Sequence, residues 1–188
     1  MNDKASILIE VSNLLSIGNR GEAGRVVRER YPFAPRVPAA RKYTERQMTE
    51  VFVRDGFVDR HSGTRLVYPG AMRLISQVLP AEFPTHPNGK LTECHFAFWE
   101  LLPTIDHLDP VTRGGQDVES NWVTTSMLRN AAKNCATLEE LGWTLHPPGR
   151  LEEWDGLTRW FVDYAREHPT EVTSPYLRTW LRAARVIQ

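Results

Sequence analysis

Apolar residues recur at helical spacing near the start of the chain. Ile7, Leu8, Val11, Leu14 and Leu15 predict a first helix. Gly18 and Gly21 interrupt the pattern, and Ala23, Val26, Val27 and Tyr31 then share one face of a second helix over about residues 22–31. The two read as a helical hairpin whose simplest role is packing or dimerisation. Pro32–Pro38 (PFAPRVP) reads as a stiff, extended connector. Thr44-Glu45-Arg46-Gln47 has the form of a capping box and opens a helix that buries Met48, Val51 and Phe52.

Residues 54–70 (RDGFVDRHSGTRLVYPG) read as a β-hairpin or knuckle turned at Ser62-Gly63, and residues 71–79 as a short helix. A proline-rich loop covers residues 80–91, and the apolar, aromatic run Cys94–Leu102 (CHFAFWELL) is expected in the core. Towards the C-terminus, Leu157, Trp160, Phe161 and Tyr164 share one helical face, and Leu177, Trp180 and Leu181 another. Both are read as core stripes.

Between them, residues 103–134 change character. Thr104-Ile105-Asp106-His107-Leu108 predicts a strand ending in an acid and an imidazole, closed by Pro110. A loop with Gly114-Gly115 follows, and the β-branched run Asn121–Thr125 predicts a returning strand. Ser126 is a good N-cap for a helix over Met127–Asn134. The expected order is strand, loop, strand, helix. Asp106 and Asn130 offer hard oxygen donors to a divalent cation. His107 is an imidazole that can deprotonate a water near neutral pH.

Composition refines this picture modestly. The 188 residues suit one domain with a small appendage, and 41% hydrophobic content with six tryptophans allows a sizeable core. Lys+Arg and Asp+Glu are both 23, so the net charge is zero, which speaks against indiscriminate coating of polyanions but not against a local basic face. Cys94 and Cys135 have neither metal-pair spacing nor a disulfide framework, which favours a reducing, cytoplasmic setting. The N-terminal apolar stretch is broken by Glu10, Ser12 and Asn13 and has no basic leader, so neither a signal peptide nor a membrane span is expected. Gly114-Gly115 lacks the Lys-Ser/Thr ending of a nucleotide-binding loop.

The segment resembles the HNH, or ββα-metal, endonucleases. The resemblance lies in D-H-x-x-P-x-x-R-G-G-x-D at Asp106–Asp117, S-N-x-V at Ser120–Val123 and N-x-x-K at Asn130–Lys133. Asn121 follows His107 by fourteen positions, and Asn130 follows Asn121 by nine. The resemblance implies His107 as general base, Asn121 as the residue orienting it, and Asp106 and Asn130 as ligands of one Mg²⁺ or Mn²⁺ ion. Asn134 is the alternative to Asn130. Arg113 contacts phosphate or pairs with Asp109 or Asp117; Lys133 contacts phosphate or is a solvated surface lysine.

Many such proteins carry a structural zinc held by two cysteine pairs, one in an R-D-G-[FY]-x-C-x-x-C-G knuckle. This chain keeps Arg54-Asp55-Gly56-Phe57-Val58 and Gly63, but has Asp59 and Ser62 at the first two ligand positions and Ser126 and Arg129 near the other two. No structural zinc is therefore expected. His61, beside Asp59, is weighed as part of a second metal site against a structural histidine. His86, His95, His146 and His168 are read as loop or core residues.

The expected fold is α+β: an HNH core over about residues 103–135, embedded in a mainly helical domain of residues 39–188, after an N-terminal hairpin and linker of residues 1–38. The expected function is metal-dependent hydrolysis of DNA by a cytoplasmic endonuclease with no membrane partner. The hairpin is the candidate homodimer interface. The alternatives are a nuclease for RNA or single strands, and a non-catalytic nucleic-acid-binding or protein-interaction module.

Overall fold

The computed structural model describes residues 3–34 and 42–187. The chain divides into two compact units, Met1–Pro38 and Ala39–Gln188. The fold is mixed α and β, with helices dominating and one small sheet. Among the described residues, no helix is long and apolar enough to cross a membrane.

The first unit is a pair of helices, α1 (Lys4–Ser16) and α2 (Arg20–Arg30). Asp3 caps α1 by accepting from the Ala5 amide, and Asn19 caps α2 by accepting from the Glu22 amide. Between the helices the backbone reverses at Gly18, whose φ of +77° suits glycine. Ile7, Ala23 and Val26 are buried and Glu10 pairs with Arg30, whereas Leu8 and Leu15 are about half exposed. The apolar stripe of α1 is thus wider than the surface it buries. Most of the expected extended connector, residues 35–38, lies outside the described residues.

The second unit opens with α3 (Glu45–Arg54), whose start is the reciprocal capping box of Thr44 and Gln47. It buries Thr49, Val51 and Phe52. Helix α4 (Pro69–Val78) follows the knuckle, and α8 (Thr158–Glu167) and α9 (Pro175–Ala183) complete the helical layer. Their shared core contains Phe52, Phe57, Tyr68, Leu74, Phe161, Leu177 and Trp180. The Tyr68 hydroxyl donates to the carbonyl of Trp180 at 2.6 Å, so the buried phenol is satisfied.

Three short helices lie between α4 and α8 in the chain: α5 (Ala97–Glu100), α6 (Met127–Lys133) and α7 (Leu138–Leu141). The run Cys94–Leu102 departs from expectation. Only Ala97 within it is fully buried, and Phe96 is exposed. His95 and Phe98 instead join a satellite cluster, in which Phe83 packs on both rings.

The sheet pairs β1 (Pro103–His107) with β2 (Trp122–Ser126), antiparallel, with Asp106 opposite Val123 and His107 opposite Trp122. Ser126 ends β2 and caps α6 through the Arg129 amide. Strand alternation sends Ile105 and His107 to one face and Asp106 to the other. Ile105 joins the α3-side core, while α6 lies along Asp106.

The knuckle of residues 54–68 is held by turns and the bridge pair Val58–Arg65. Gly56 and Phe57 both have positive φ, +63° and +51°. A Cβ on Gly56 would fall 2.3 Å from the Gly149 carbonyl, so glycine is required twice over. Two aspartates then fasten the knuckle to β2. Asp55 accepts from the Thr124 amide at 2.7 Å, and Asp59 accepts from the Ser126 amide at 2.9 Å. Alternate N–H groups of the outer strand edge are satisfied by carboxylates in place of a third strand.

Candidate active site

Asp106 is the carboxylate carried by β1, and it is heavily paired. It is buried, and its Oδ2 lies 2.8 Å from Nε2 of His61 and 3.0 Å from Nζ of Lys133. Burial alone would raise the pKa of this carboxyl. Hydrogen bonds from His61 and Lys133, with the charge on Lys133, outweigh it and hold the group below the ordinary carboxylate range. Lys133 also donates to the carbonyl of His107 at 2.7 Å. One ammonium therefore neutralises the acid and ties down the backbone beside it.

Lys133 is 1% exposed. It is neither a solvated surface lysine nor presented outward towards a phosphate. Its stem runs inward from the last turn of α6 because position 133 faces β1.

His107, also buried, has a different set of partners. Its Nε2 lies 2.7 Å from Oδ1 of Asp117, and the same oxygen accepts from the Tyr43 hydroxyl at 2.8 Å and from Nε1 of Trp122 at 2.8 Å. These three bonds overcome desolvation and keep Asp117 ionised below its usual range. Tyr43 meets Trp122 edge-on with ring centroids 5.0 Å apart. An ionised carboxylate only accepts, so the Asp117 contact orients the imidazole through an Nε2–H donor.

Asn121 acts one step away from the imidazole. Its side chain accepts from the Asp109 amide at 2.8 Å and donates to the carbonyls of Asp109 and Gln116 at 2.9 and 2.8 Å. Its own carbonyl accepts from the amide of Leu108, the residue after His107. It thus closes the loop of residues 109–116 and anchors the end of β1, while the ring itself is met by Asp117 and Tyr43. Gly115 belongs to the same closure: a Cβ there would fall 2.0 Å from the carbonyl oxygen of Asp109.

Asn130 lies half-buried on α6, with Nδ2 3.4 Å from the Ile105 carbonyl, beside the Asp106 position of β1. Asn134 is exposed and ends α6 with a φ of +50°. Arg113 pairs with Glu140 of α7, one contact being 3.0 Å, and reaches the Cys135 carbonyl at 3.3 Å. That arginine braces the glycine loop against α7 through a partner the sequence did not suggest.

The donors suit a hard divalent cation of modest protein coordination. Among the described residues no three His, Cys, Asp or Glu side chains form a metal-holding cluster. One carboxylate and one amide, with the remaining positions left to water and phosphate, is the way Mg²⁺ is commonly held. Oδ1 of Asp106, 3.4 Å from Nζ of Lys133, is the less engaged of its two oxygens. A cation at Oδ2 would have to displace Lys133 or share the carboxylate with it.

The four positions where the resemblance places zinc ligands do converge in space. Asp59 bonds to the Ser126 amide, and Ser62, Ser126 and Arg129 line one cleft of about 250 Å³. A carboxylate-to-amide bond links the knuckle to α6 there. Asp59 also accepts from the His61 amide at 2.8 Å and the Thr125 hydroxyl at 3.1 Å.

Sequence reasoning missed three participants. Asp117 ends the motif and offers Arg113 a partner by its position, but it bonds to His107 instead. His61 lies in the knuckle, where spacing suggests a separate metal site, and Tyr43 stands outside the motif altogether. Only the Asp-His adjacency and the motif's final acid hinted at them. Compared with known proteins, the chain matches no family model, no curated protein and no solved structure.

Proposed function

We propose that the second unit is a metal-dependent endonuclease of the HNH type that hydrolyses phosphodiester bonds in DNA. The observation that carries this reading is the division of labour at the end of β1. Asp106 is held ionised between Lys133 and His61, while the adjacent His107 is hydrogen-bonded through Nε2 to the carboxylate of Asp117. A carboxylate available to a cation and an imidazole backed by an acid are the two elements phosphodiester hydrolysis needs. The strand–loop–strand–helix order and the convergence of positions 59, 62, 126 and 129 support the same reading.

In this reading Asp106 and Asn130 would hold one Mg²⁺ or Mn²⁺ ion, which would supply charge stabilisation to the phosphate and the leaving group. His107 takes a proton from the attacking water. Asp117 keeps the other ring proton on Nε2 and stabilises the imidazolium as it forms, an orienting role well known for carboxylates behind a catalytic histidine. Asn121 keeps the end of β1 and the following loop in register. Lys133 balances the charge of Asp106. Arg113 braces the loop of residues 109–116.

The test is cleavage of plasmid DNA, single-stranded DNA and RNA with Mg²⁺, Mn²⁺ or EDTA, beside the His107→Ala variant. Metal-dependent cutting of DNA that disappears in the variant is expected. Preference for RNA or single strands would reassign the substrate, and no cutting of any substrate with any ion would remove the nuclease reading.

A further inference from the structure

His61 stands out among the buried polar side chains. It comes from the knuckle, forty-five positions before Asp106, yet its side chain is fully closed to solvent and ends 2.8 Å from Oδ2 of that residue. Its placement is not left to chance. Asp59 grips the His61 amide with the same carboxylate that accepts from Thr125 and Ser126. The ring packs against Trp143, with centroids 5.7 Å apart. The knuckle is thereby clamped to the β2–α6 junction, and the clamp aims an imidazole at the acid on β1.

The polarity of the contact follows from its partner. An ionised carboxylate only accepts, so Nε2 carries the proton and donates it. Nδ1 is buried and has no hydrogen-bond partner among the described residues. A buried polar atom without a partner costs free energy, so its retention needs a reason.

A structural histidine deep in the protein would satisfy both nitrogens. A metal-ligating histidine would offer a lone pair at Nε2 and donate Nδ1–H to a carboxylate or carbonyl. His61 does neither. What it does is fix one oxygen of Asp106, in company with Lys133, and leave the other oxygen the less engaged.

We propose that His61 is a positioning residue of the active site, donating Nε2–H to Oδ2 of Asp106 and so setting the orientation in which that carboxylate meets a divalent cation. The inference rests on the nuclease reading, because it presumes that Asp106 binds the cation. It gives the knuckle, in a chain without zinc-binding thiolates at positions 59 and 62, a direct link to the reacting centre.

Two near-isosteric variants isolate the donor. His61→Gln retains an N–H at about the reach of Nε2, and His61→Met has similar length without one. Mn²⁺ binding to the full chain is followed by electron paramagnetic resonance, beside Asp106→Ala. Loss of a residue behind a metal ligand typically lowers affinity about 10–100-fold. The expected result is that weakening in His61→Met, recovery to within a few-fold in His61→Gln, and abolition in Asp106→Ala.

Equal affinity of the Gln and Met variants, with binding still dependent on Asp106, overturns the role of His61 and leaves the nuclease reading standing. Absence of Mn²⁺ binding in the wild type, or binding indifferent to Asp106→Ala, removes both. A second measurement needs no variant. In ¹⁵N spectra of the wild-type imidazoles, His61 keeps its proton on Nε2 before and after Mg²⁺ is added. Loss of that proton on adding Mg²⁺ would make His61 a ligand and overturn the assignment.

Discussion

Nζ of Lys133 lies 3.0 Å from Oδ2 of Asp106, and both side chains are buried. Twenty-seven positions separate them, so the pair joins the last turn of α6 to β1. Removing one partner of a buried ion pair leaves an uncompensated charge, which costs about 3–5 kcal/mol. Lys133→Met should therefore destabilise the protein by that order, read from urea unfolding at neutral pH. The double change Lys133→Met with Asp106→Asn should recover part of the loss, because the stranded charge is gone. A Lys133→Met variant as stable as the wild type would show that the pair is solvent-screened.

The carboxylate of Asp117 accepts from His107, Tyr43 and Trp122. Asp117→Asn keeps the shape but removes the charge that stabilises a protonated His107. Positioned general bases contribute about 10²–10⁴-fold, so under the nuclease function proposed above cleavage should fall by about 10²-fold with KM little changed. Steady-state kinetics on plasmid DNA would check it. A variant cutting at the wild-type rate would remove Asp117 from the mechanism.

Asp59 satisfies the Ser126 and His61 amides and the Thr125 hydroxyl inside the protein. Each buried donor left without its acceptor costs about 1–3 kcal/mol, so Asp59→Ala should lose about 3 kcal/mol or more. Chemical denaturation gives the figure. Metal analysis of the purified wild type should find no stoichiometric zinc, and added zinc should not restore the variant. Stoichiometric zinc would mean that other ligands complete a site at the knuckle.

Acid should unfold the protein partly through the site. The carboxyls of Asp106 and Asp117 both titrate below the ordinary value of about 4. For a carboxyl depressed on folding, the stabilisation is full above its unfolded pKa and is lost as pH falls through its folded pKa. Melting temperature should therefore drop as pH falls below about 4. Asp106→Asn should flatten that drop more than Asp117→Asn, because Asp117 is partly exposed and screened by water. An identical acid limb in the wild type and Asp106→Asn would contradict this.

Short-range features were legible in the sequence wherever one or two neighbouring residues complete the interaction. The Thr44 capping box, the Ser126 cap of α6 and the strand at Asp106-His107 all appear where the pattern placed them. Each depends on hydrogen bonds spanning only a few residues, or on side-chain alternation along the strand. The apolar run Cys94–Leu102 went the other way. Hydrophobicity marks what favours burial but not which neighbours are available to cover it, and Phe96 is exposed.

The motif from Asp106 to Lys133 was enough to nominate the chemistry, because it lies in one strand–loop–strand–helix stretch. The partners that make those residues act together come from elsewhere. His61 arrives from the knuckle, Tyr43 precedes α3, and Lys133 turns inward to Asp106 where its sequence position suggested a surface contact. Local spacing determined which side chains stand on β1 and α6. Only the packing of the knuckle, α3 and α6 around the sheet decided what they touch, since hydrogen bonds and charge pairs over more than a helical turn depend on how distant segments meet.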